Sequence, residues 1–242
     1  MKLSSLPSSN ARRSLATVHR GLAFEERSLS VLRTDMSMSL KRVGGKADGG
    51  IDFFGWWWLP HDSPNNEPYS SVLHRRRIRV IGQCKAEKKK SGPHYVRELE
   101  GVLYRFLTQK SEQSAIFVVE EGADAPPTVA VLVSQSSFTK SSILRANSSK
   151  IPFCLLHLPQ IDRSDLDSED VDELPGKLGS VWFNPALCGP KGLVKGRVEV
   201  RWERHLEKLG GRPALWWDGV RLPSWIPEPS MIASLGIPVQ QT

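Results

Sequence analysis

The sequence predicts an α/β fold, one mixed sheet flanked by helices in the order α-β-β-β-α-β, with a Trp- and Pro-rich extension after it. Three observations carry this. A helical apolar stripe is followed by three strand-like runs in succession; a second helical stripe and further short apolar runs then alternate; and 242 residues with 39% hydrophobic and 24% charged content suit one such domain with extensions.

The first helix is predicted from about Ser14 to Arg33, where Val18, Leu22, Leu29 and Leu32 recur at steps of four, seven and three residues and so share a face. Glu25 lies on that face. A carboxylate on the buried side of a helix must be paired or used, so Glu25 is either a site residue or the exposed edge of the stripe. Strands are predicted over Met36–Val43, Gly50–Leu59 and Ile78–Lys85, with a Pro/Asn/Asp/Ser-rich hairpin loop from His61 to Tyr69. A second helix, His94–Gln109, carries Val96, Leu99, Leu103 and Phe106 at helical spacing just after Pro93. Strands are then expected near Ala115–Glu120, Thr128–Ser134 and Pro152–Leu158, with a Ser-rich helix near Ser136–Asn147. From Asp162 to Glu173 seven of twelve residues are acidic, which reads as a solvated loop because the glycine and distal glutamate of a calcium loop are missing. Beyond it, Trp182, Trp202, Trp216, Trp217 and Trp225 predict an ordered extension; they either plug gaps against the sheet or stack on unpaired bases.

The organisation expected from this is a targeting segment at 1–16, a main domain at 17–160, an acidic loop at 161–179 and an extension at 180–242 packed on the core. Met1–Phe24 holds Lys2, Arg12, Arg13 and Arg20 with no acidic residue, and is Ser-rich without a secretory apolar core. That composition reads as a mitochondrial presequence, the alternative being a disordered basic tail. The longest apolar runs are strand-sized, so no membrane span is expected. Cys84, Cys154 and Cys188 are far apart and form no Cys-x-x-Cys pair, which excludes a zinc ribbon and points to a reducing interior. A formal charge of +7 favours an anionic partner, nucleic acid being the commonest.

The chemistry concentrates in two stretches. Asp48-Gly49-Gly50-Ile51-Asp52 opens the second strand, and Gln83-Cys84-Lys85 ends the third. The glycines allow a tight approach, Asp52 projects from its strand, and residues two apart on a strand, Gln83 and Lys85, share a face. Asp52, Gln83 and the Cys84 carbonyl offer hard oxygen ligands suited to Mg²⁺, while Lys85 can orient or help deprotonate a water and offset transition-state charge. A surface ion pair with a neighbouring amide is the plainer reading of the same trio. Arg75, Arg76, Arg77, Arg79, Lys88, Lys89 and Lys90 bracket the third strand and either follow a phosphate backbone or keep a basic edge strand soluble. The aromatic run Phe53-Phe54-Gly55-Trp56-Trp57-Trp58 is expected mainly to fill core. No Walker-type loop, His-Glu-x-x-His or Cys/His metal cluster is present.

Taken with Gly21-Leu22-Ala23-Phe24-Glu25, these motifs resemble the Mrr-like branch of the PD-(D/E)XK nucleases, whose pattern is G-x-x-F-E, D-x-G-x-D and Q-x-K. The resemblance covers roughly residues 17–158 and extends to Val96-Arg97-Glu98-Leu99-Glu100-Gly101. With the basic start and Trp-rich end, the chain is most similar to the fungal mitochondrial "required for respiratory growth" group. The resemblance implies a restriction-endonuclease-like sheet, hydrolysis of a phosphodiester with Mg²⁺ (or Mn²⁺), and nucleic acid as partner, DNA ahead of RNA. It implies Glu25, Asp52, Gln83 and Lys85 as the active set and a mitochondrial matrix location, and it is compatible with a dimer. Gln83 stands where many relatives carry a carboxylate, which lowers the negative charge available to a cation.

Overall fold

The computed structural model describes residues 9–43, 49–61, 75–108, 126–160, 178–204 and 211–228. Asp48, the loop at 62–69, the strand expected at 115–120 and the acidic run at 162–173 lie outside the described residues, as do the first eight residues.

Helix α1 (Ser9–Met36) opens the chain, followed by β1 (Met38–Arg42), β2 (Phe53–Pro60) and β3 (Arg75–Lys85). Helix α2 (Pro93–Thr108), β4 (Thr128–Ser134), α3 (Lys140–Ser148) and β5 (Phe153–His157) complete the order expected from the sequence. The strands form one mixed sheet, antiparallel across β1, β2 and β3 and parallel across β3, β4 and β5. Parallel neighbours need a crossover connection; here α2 and α3 lie in those two crossovers and pack together on one face of the sheet. β4 is buried along its whole length, which explains its unbroken apolar run rather than an alternating one.

Two clusters sandwich the sheet. On one face α1 contributes Phe24, Val31, Leu32 and Met36, which meet Trp57, Val80, Val131 and Cys154. On the other, Val96, Leu99 and Leu103 of α2 meet Ile51, Ile81, Leu132 and Phe153. The buried stripe of α1 is therefore set by Phe24, Val31, Leu32 and Met36, with Leu22 and Leu29 only partly buried. Side chains along β3 alternate: Ile78 and Val80 face the α1 side, Ile81 the α2 side. Gln83 and Lys85 follow Ile81 toward α2, where both meet Glu98, while the Cys84 thiol meets Ser28 of α1.

The described part of the extension enters the sheet. β6 (Ser180–Phe183) pairs antiparallel with β5 as a sixth strand. A short helix, α4 (Pro185–Cys188), is capped by the buried Asn184, whose side chain also bonds Phe153 N, Ala146 O and Ile151 O. A separate three-stranded sheet follows, β7 (Val198–Arg204), β8 (Gly211–Trp217) and β9 (Val220–Arg221). Asp218 and Gly219, at φ of 49° and 78°, make the two-residue Asp-Gly turn that joins β8 to β9. Val198, Leu215 and Trp217 of this sheet extend the core on the α1 side. Of the tryptophans expected to pack, Trp217 is buried, whereas Trp182 and Trp202 are exposed.

The last described segment fastens α1. Ser224 Oγ donates to Arg33 O at 2.7 Å and accepts from Ser37 N at 3.0 Å, and Trp225 N donates to Ser37 Oγ at 3.0 Å. Ser37, at φ 56°, occupies the left-handed region that ends a helix and turns the chain into β1. Among the described residues no helix is long and apolar enough to cross a membrane.

Gly101 lies exposed within α2, and a Cβ built on it meets nothing within 4 Å. Gly101→Ala is expected to raise stability by about 0.5–1 kcal/mol, the helix-propensity difference, with a matching upward shift of the thermal midpoint.

Candidate functional site

The site forms where β2 and β3 stop pairing. Gly49 and Gly50, at φ of 65° and 84°, make a turn that L-residues with side chains rarely adopt, and Asp52 follows two residues later. Asp52 N donates to Gly82 O at 2.9 Å, and Asp52 O accepts from Val43 N at 2.8 Å, which locks the residue between β1 and β3. The last β2–β3 register pair is Phe53 with Gly82. Two residues further along β3, the Asp52 carboxylate takes the place of a partner strand: its Oδ2 accepts from Cys84 N at 2.6 Å.

Gln83 is buried at 1% exposure. Its Nε2 donates to Gly50 O and to Glu98 Oε1, the latter at 3.2 Å. Both neighbours are acceptors, so the amide nitrogen must face them and Oε1 must face away. That oxygen is buried and has no hydrogen-bond partner among the described residues. An unmet acceptor of this kind costs about 1–3 kcal/mol, which a water or a cation would relieve. Lys85 Nζ donates to the same Glu98 Oε1 at 3.3 Å and lies 4.9 Å from the centre of the Tyr95 ring. Tyr95 in turn donates its hydroxyl to Glu87. Burial, then the hydrogen bond and charge of Glu87, push its phenol up to about 12, so the ring is neutral at physiological pH.

The structure thus brings Asp52, Gln83 and Lys85 together, Asp52 being bonded to the residue between the other two. Glu25 approaches from α1, on the side of the sheet where the Cys84 thiol lies, and pairs with Arg42 at 3.8 Å. Burial, with smaller contributions of the same sign from Asp52 and Glu25, pushes the Cys84 thiol well above its usual range, against the Ser28 hydroxyl and Lys85. Cys84 can therefore offer its backbone to the site but not a thiolate. Asp52 and the Gln83 oxygen are hard donors of the type Mg²⁺ takes. Among the described residues, however, no group of three or more His, Cys, Asp or Glu side chains converges on one point.

The basic residues divide into three groups. Arg75 and Arg79, expected along a phosphate backbone, are buried at 6% and 4% exposure, and for these two that expectation gives way to packing. Arg75 donates to Trp58 O at 3.1 Å and stacks 5.3 Å from the Trp225 ring, and Arg79 lies 5.6 Å from the Phe106 ring. The physical reason is that β3 is central, covered on both faces, so guanidinium planes stack on aromatic rings instead of reaching solvent. Arg76 and Arg77 are half-buried against Trp217 and Trp56 at 5.9 and 4.7 Å. Lys88, Lys89 and Lys90 are exposed on the turn after β3. That turn is tied to the β4–α3 connection by Ser136 Oγ to Glu87 O at 2.6 Å and Ser91 N to Ser137 O at 3.1 Å.

Glu98 is the residue that sequence reasoning left without a role. It falls within the Val96–Gly101 segment, but its only local signal is a glutamate one turn into a helix that follows the Gln-Cys-Lys strand end.

Comparison with known proteins adds three findings. A mitochondrial, uncharacterised protein of Schizosaccharomyces pombe is 31% identical over 142 residues, which span 59% of this chain and 45% of that protein. The chain thus matches less than half the length of that relative. The restriction endonuclease MspJI, solved with a 27-mer oligonucleotide, aligns over 64% of this chain and 32% of its own at 17% identity, with a TM-score of 0.33, which is a distant likeness. Residues 16–179, which hold most of α1, all of β1–β5, α2 and α3, and every candidate site residue, match the family described as "Required for respiratory growth protein 7", and the chain belongs to that family.

Proposed function

We propose that this protein acts on nucleic acid in the mitochondrial matrix as a Mg²⁺-dependent phosphodiesterase of restriction-endonuclease type, serving organelle genome maintenance or expression. One observation supports the chemistry above the rest. Gln83 presents a buried amide oxygen without a hydrogen-bond partner among the described residues, beside the Asp52-bonded Cys84 N–H and Lys85. On this reading Asp52, Gln83 Oε1 and the Cys84 carbonyl would hold Mg²⁺ or Mn²⁺, and Glu25 would support the metal or its water from α1. When bound, such an ion supplies charge neutralisation at the phosphate and lowers the pKa of a bound water. Lys85 places its ammonium against the phosphate and offsets the charge that builds on the pentavalent transition state. DNA is the expected substrate ahead of RNA. The basic, acid-poor Met1–Phe24 and the mitochondrial name of the fission-yeast relative support the location.

Titration calorimetry with Mg²⁺ and a non-cleavable DNA duplex tests the reading. Wild type is expected to bind the ion, and Lys85→Ala to retain ion binding while losing cleavage of a normal duplex. Absence of ion binding in the wild type would end the catalytic reading.

A second reading, a binding protein that has lost turnover, is favoured by the amide at position 83 and by the lack of a carboxylate cluster among the described residues. Its test lies in the exposed Lys88, Lys89 and Lys90. On this reading neither the wild type nor a variant with all three changed to Gln cleaves a duplex, and the variant is expected to bind it more weakly. It should also flatten the dependence of log affinity on log salt by about 0.9 for each duplex phosphate that is no longer neutralised. An unchanged slope would remove this turn from the interface.

A further inference from the structure

Helix α2 meets the site at two points. Glu98 Oε1 accepts from Gln83 Nε2 at 3.2 Å and from Lys85 Nζ at 3.3 Å. Two turns later, Arg105 Nη2 donates to Gly49 O at 2.6 Å. Residues seven apart lie on one face of a helix, and Val102 sits between them, so close to the glycine turn that a Cβ on Gly50 would stand 3.3 Å from its Cγ2 and 3.2 Å from Gln83 Nε2. The helix thus touches the turn that presents Asp52 and the strand end that presents Gln83 and Lys85.

We propose that Glu98 is the positioning residue of this site, an inference that rests on the function proposed above. Its carboxylate has two effects. It holds the Lys85 ammonium at one end of a fixed contact, with the Tyr95 ring on the same cation. It also fixes the polarity of the Gln83 amide. With Gly50 O as the only acceptor the amide would have one anchor; with Glu98 as well, its nitrogen is held by two acceptors and its oxygen is left to face a cation or water. A neutral side chain at 83 thereby becomes a dedicated oxygen donor. Glu98 is 46% exposed, so it can be changed without opening the core.

The experiment reads Lys85 directly in the full chain. An acetyl N-hydroxysuccinimide ester is reacted with wild type, Glu98→Gln and Glu98→Asp, and acylation of each lysine is followed by peptide mass spectrometry. Lys88 to Lys90 serve as internal references. In the wild type Lys85 is expected to react more slowly than Lys88. In Glu98→Gln its rate relative to Lys88 is expected to rise roughly twofold to fivefold, the population change associated with losing an exposed ion pair. Glu98→Asp should restore part of the protection, which a purely structural role would not require. In parallel, the Gln83 side-chain NH₂ resonances are expected to exchange with solvent faster in Glu98→Gln. An unchanged Lys85 to Lys88 ratio in Glu98→Gln would overturn the proposal, as would full protection in Glu98→Gln equal to that in Glu98→Asp. Neither readout uses metal or substrate. Failure of Mg²⁺ to bind would therefore count against the catalytic reading alone, and a flat labelling ratio against the role of Glu98 alone.

Discussion

Gly82→Ala is expected to lower the stability of the fold by about 3 kcal/mol, the upper end of the usual cost of overpacking a core. A Cβ at this position would lie 2.1 Å from Cζ and 2.3 Å from Cε2 of Phe53, and 2.7 Å from the Val131 carbonyl oxygen. Neither neighbour can yield cheaply. Phe53 is 1% exposed and sits in the core that joins α1 to the sheet, and Val131 belongs to β4, hydrogen-bonded on both sides. Urea denaturation should show a lower midpoint with an unchanged slope. Adding Phe53→Leu should recover only part of the loss, because the contact with Val131 is to backbone. A midpoint within error of wild type would mean that the Phe53 ring does not rest on Gly82.

Asp52 carries two roles that two substitutions separate. Asp52→Asn keeps a side-chain oxygen for Cys84 N but removes the charge, so stability should change by less than about 1 kcal/mol. Asp52→Ala leaves that part-buried N–H without its partner, at a cost of about 1–3 kcal/mol. For a metal-dependent phosphodiesterase both variants should lose Mg²⁺ binding, with cleavage falling about 10²-fold or more. The informative variant is Asp52→Asn, where a folded protein of near-normal thermal midpoint is paired with lost ion binding. Retained Mg²⁺ binding in it would assign the carboxylate to holding the strand ends together and nothing more.

The elements that were legible in the sequence are those whose periodicity is set by one buried face. The Val96, Leu99 and Leu103 stripe of α2 and the uninterrupted Thr128–Ser134 run became the helix and strand they predict. Asp52, Gln83 and Lys85 were legible because strand alternation places side chains two apart on one face whatever surrounds them. Other assignments depended on which strand neighbours which. Arg75 and Arg79 read as solvent-facing because charged residues usually are; only the position of β3 between β2 and β4, with Trp225 and Phe106 over the guanidinium groups, makes them interior. Glu98 and Glu100 lie two apart on the same helix. Their sequence surroundings do not distinguish the one that meets Gln83 and Lys85 from the one that is buried on Arg145 and Ser149. β7, Val-Glu-Val-Arg-Trp-Glu-Arg, alternates apolar and charged residues from Val198 to Glu203 and was legible as a strand, though not assigned as one. β6 and β9 are four and two residues long and β8 carries Gly211 and Pro213, so these three lack a local pattern, and the pairing of β6 is decided by an edge already built by the rest of the chain.

The stretch that defines the family and the stretch that folds are not the same length. The family match covers residues 16–179, yet β5 is completed by β6 at 180–183, and the end of α1 is tied down by Ser224 and Trp225. A protein trimmed to the shared region would present β5 as a bare edge, a template for pairing with other copies. It would also strip Val198, Leu215 and Trp217 from the apolar surface they cover. Such a fragment is expected to aggregate on expression, and an inactive preparation of it would say nothing about the activity of the whole chain. The shortest piece worth purifying runs past Trp225.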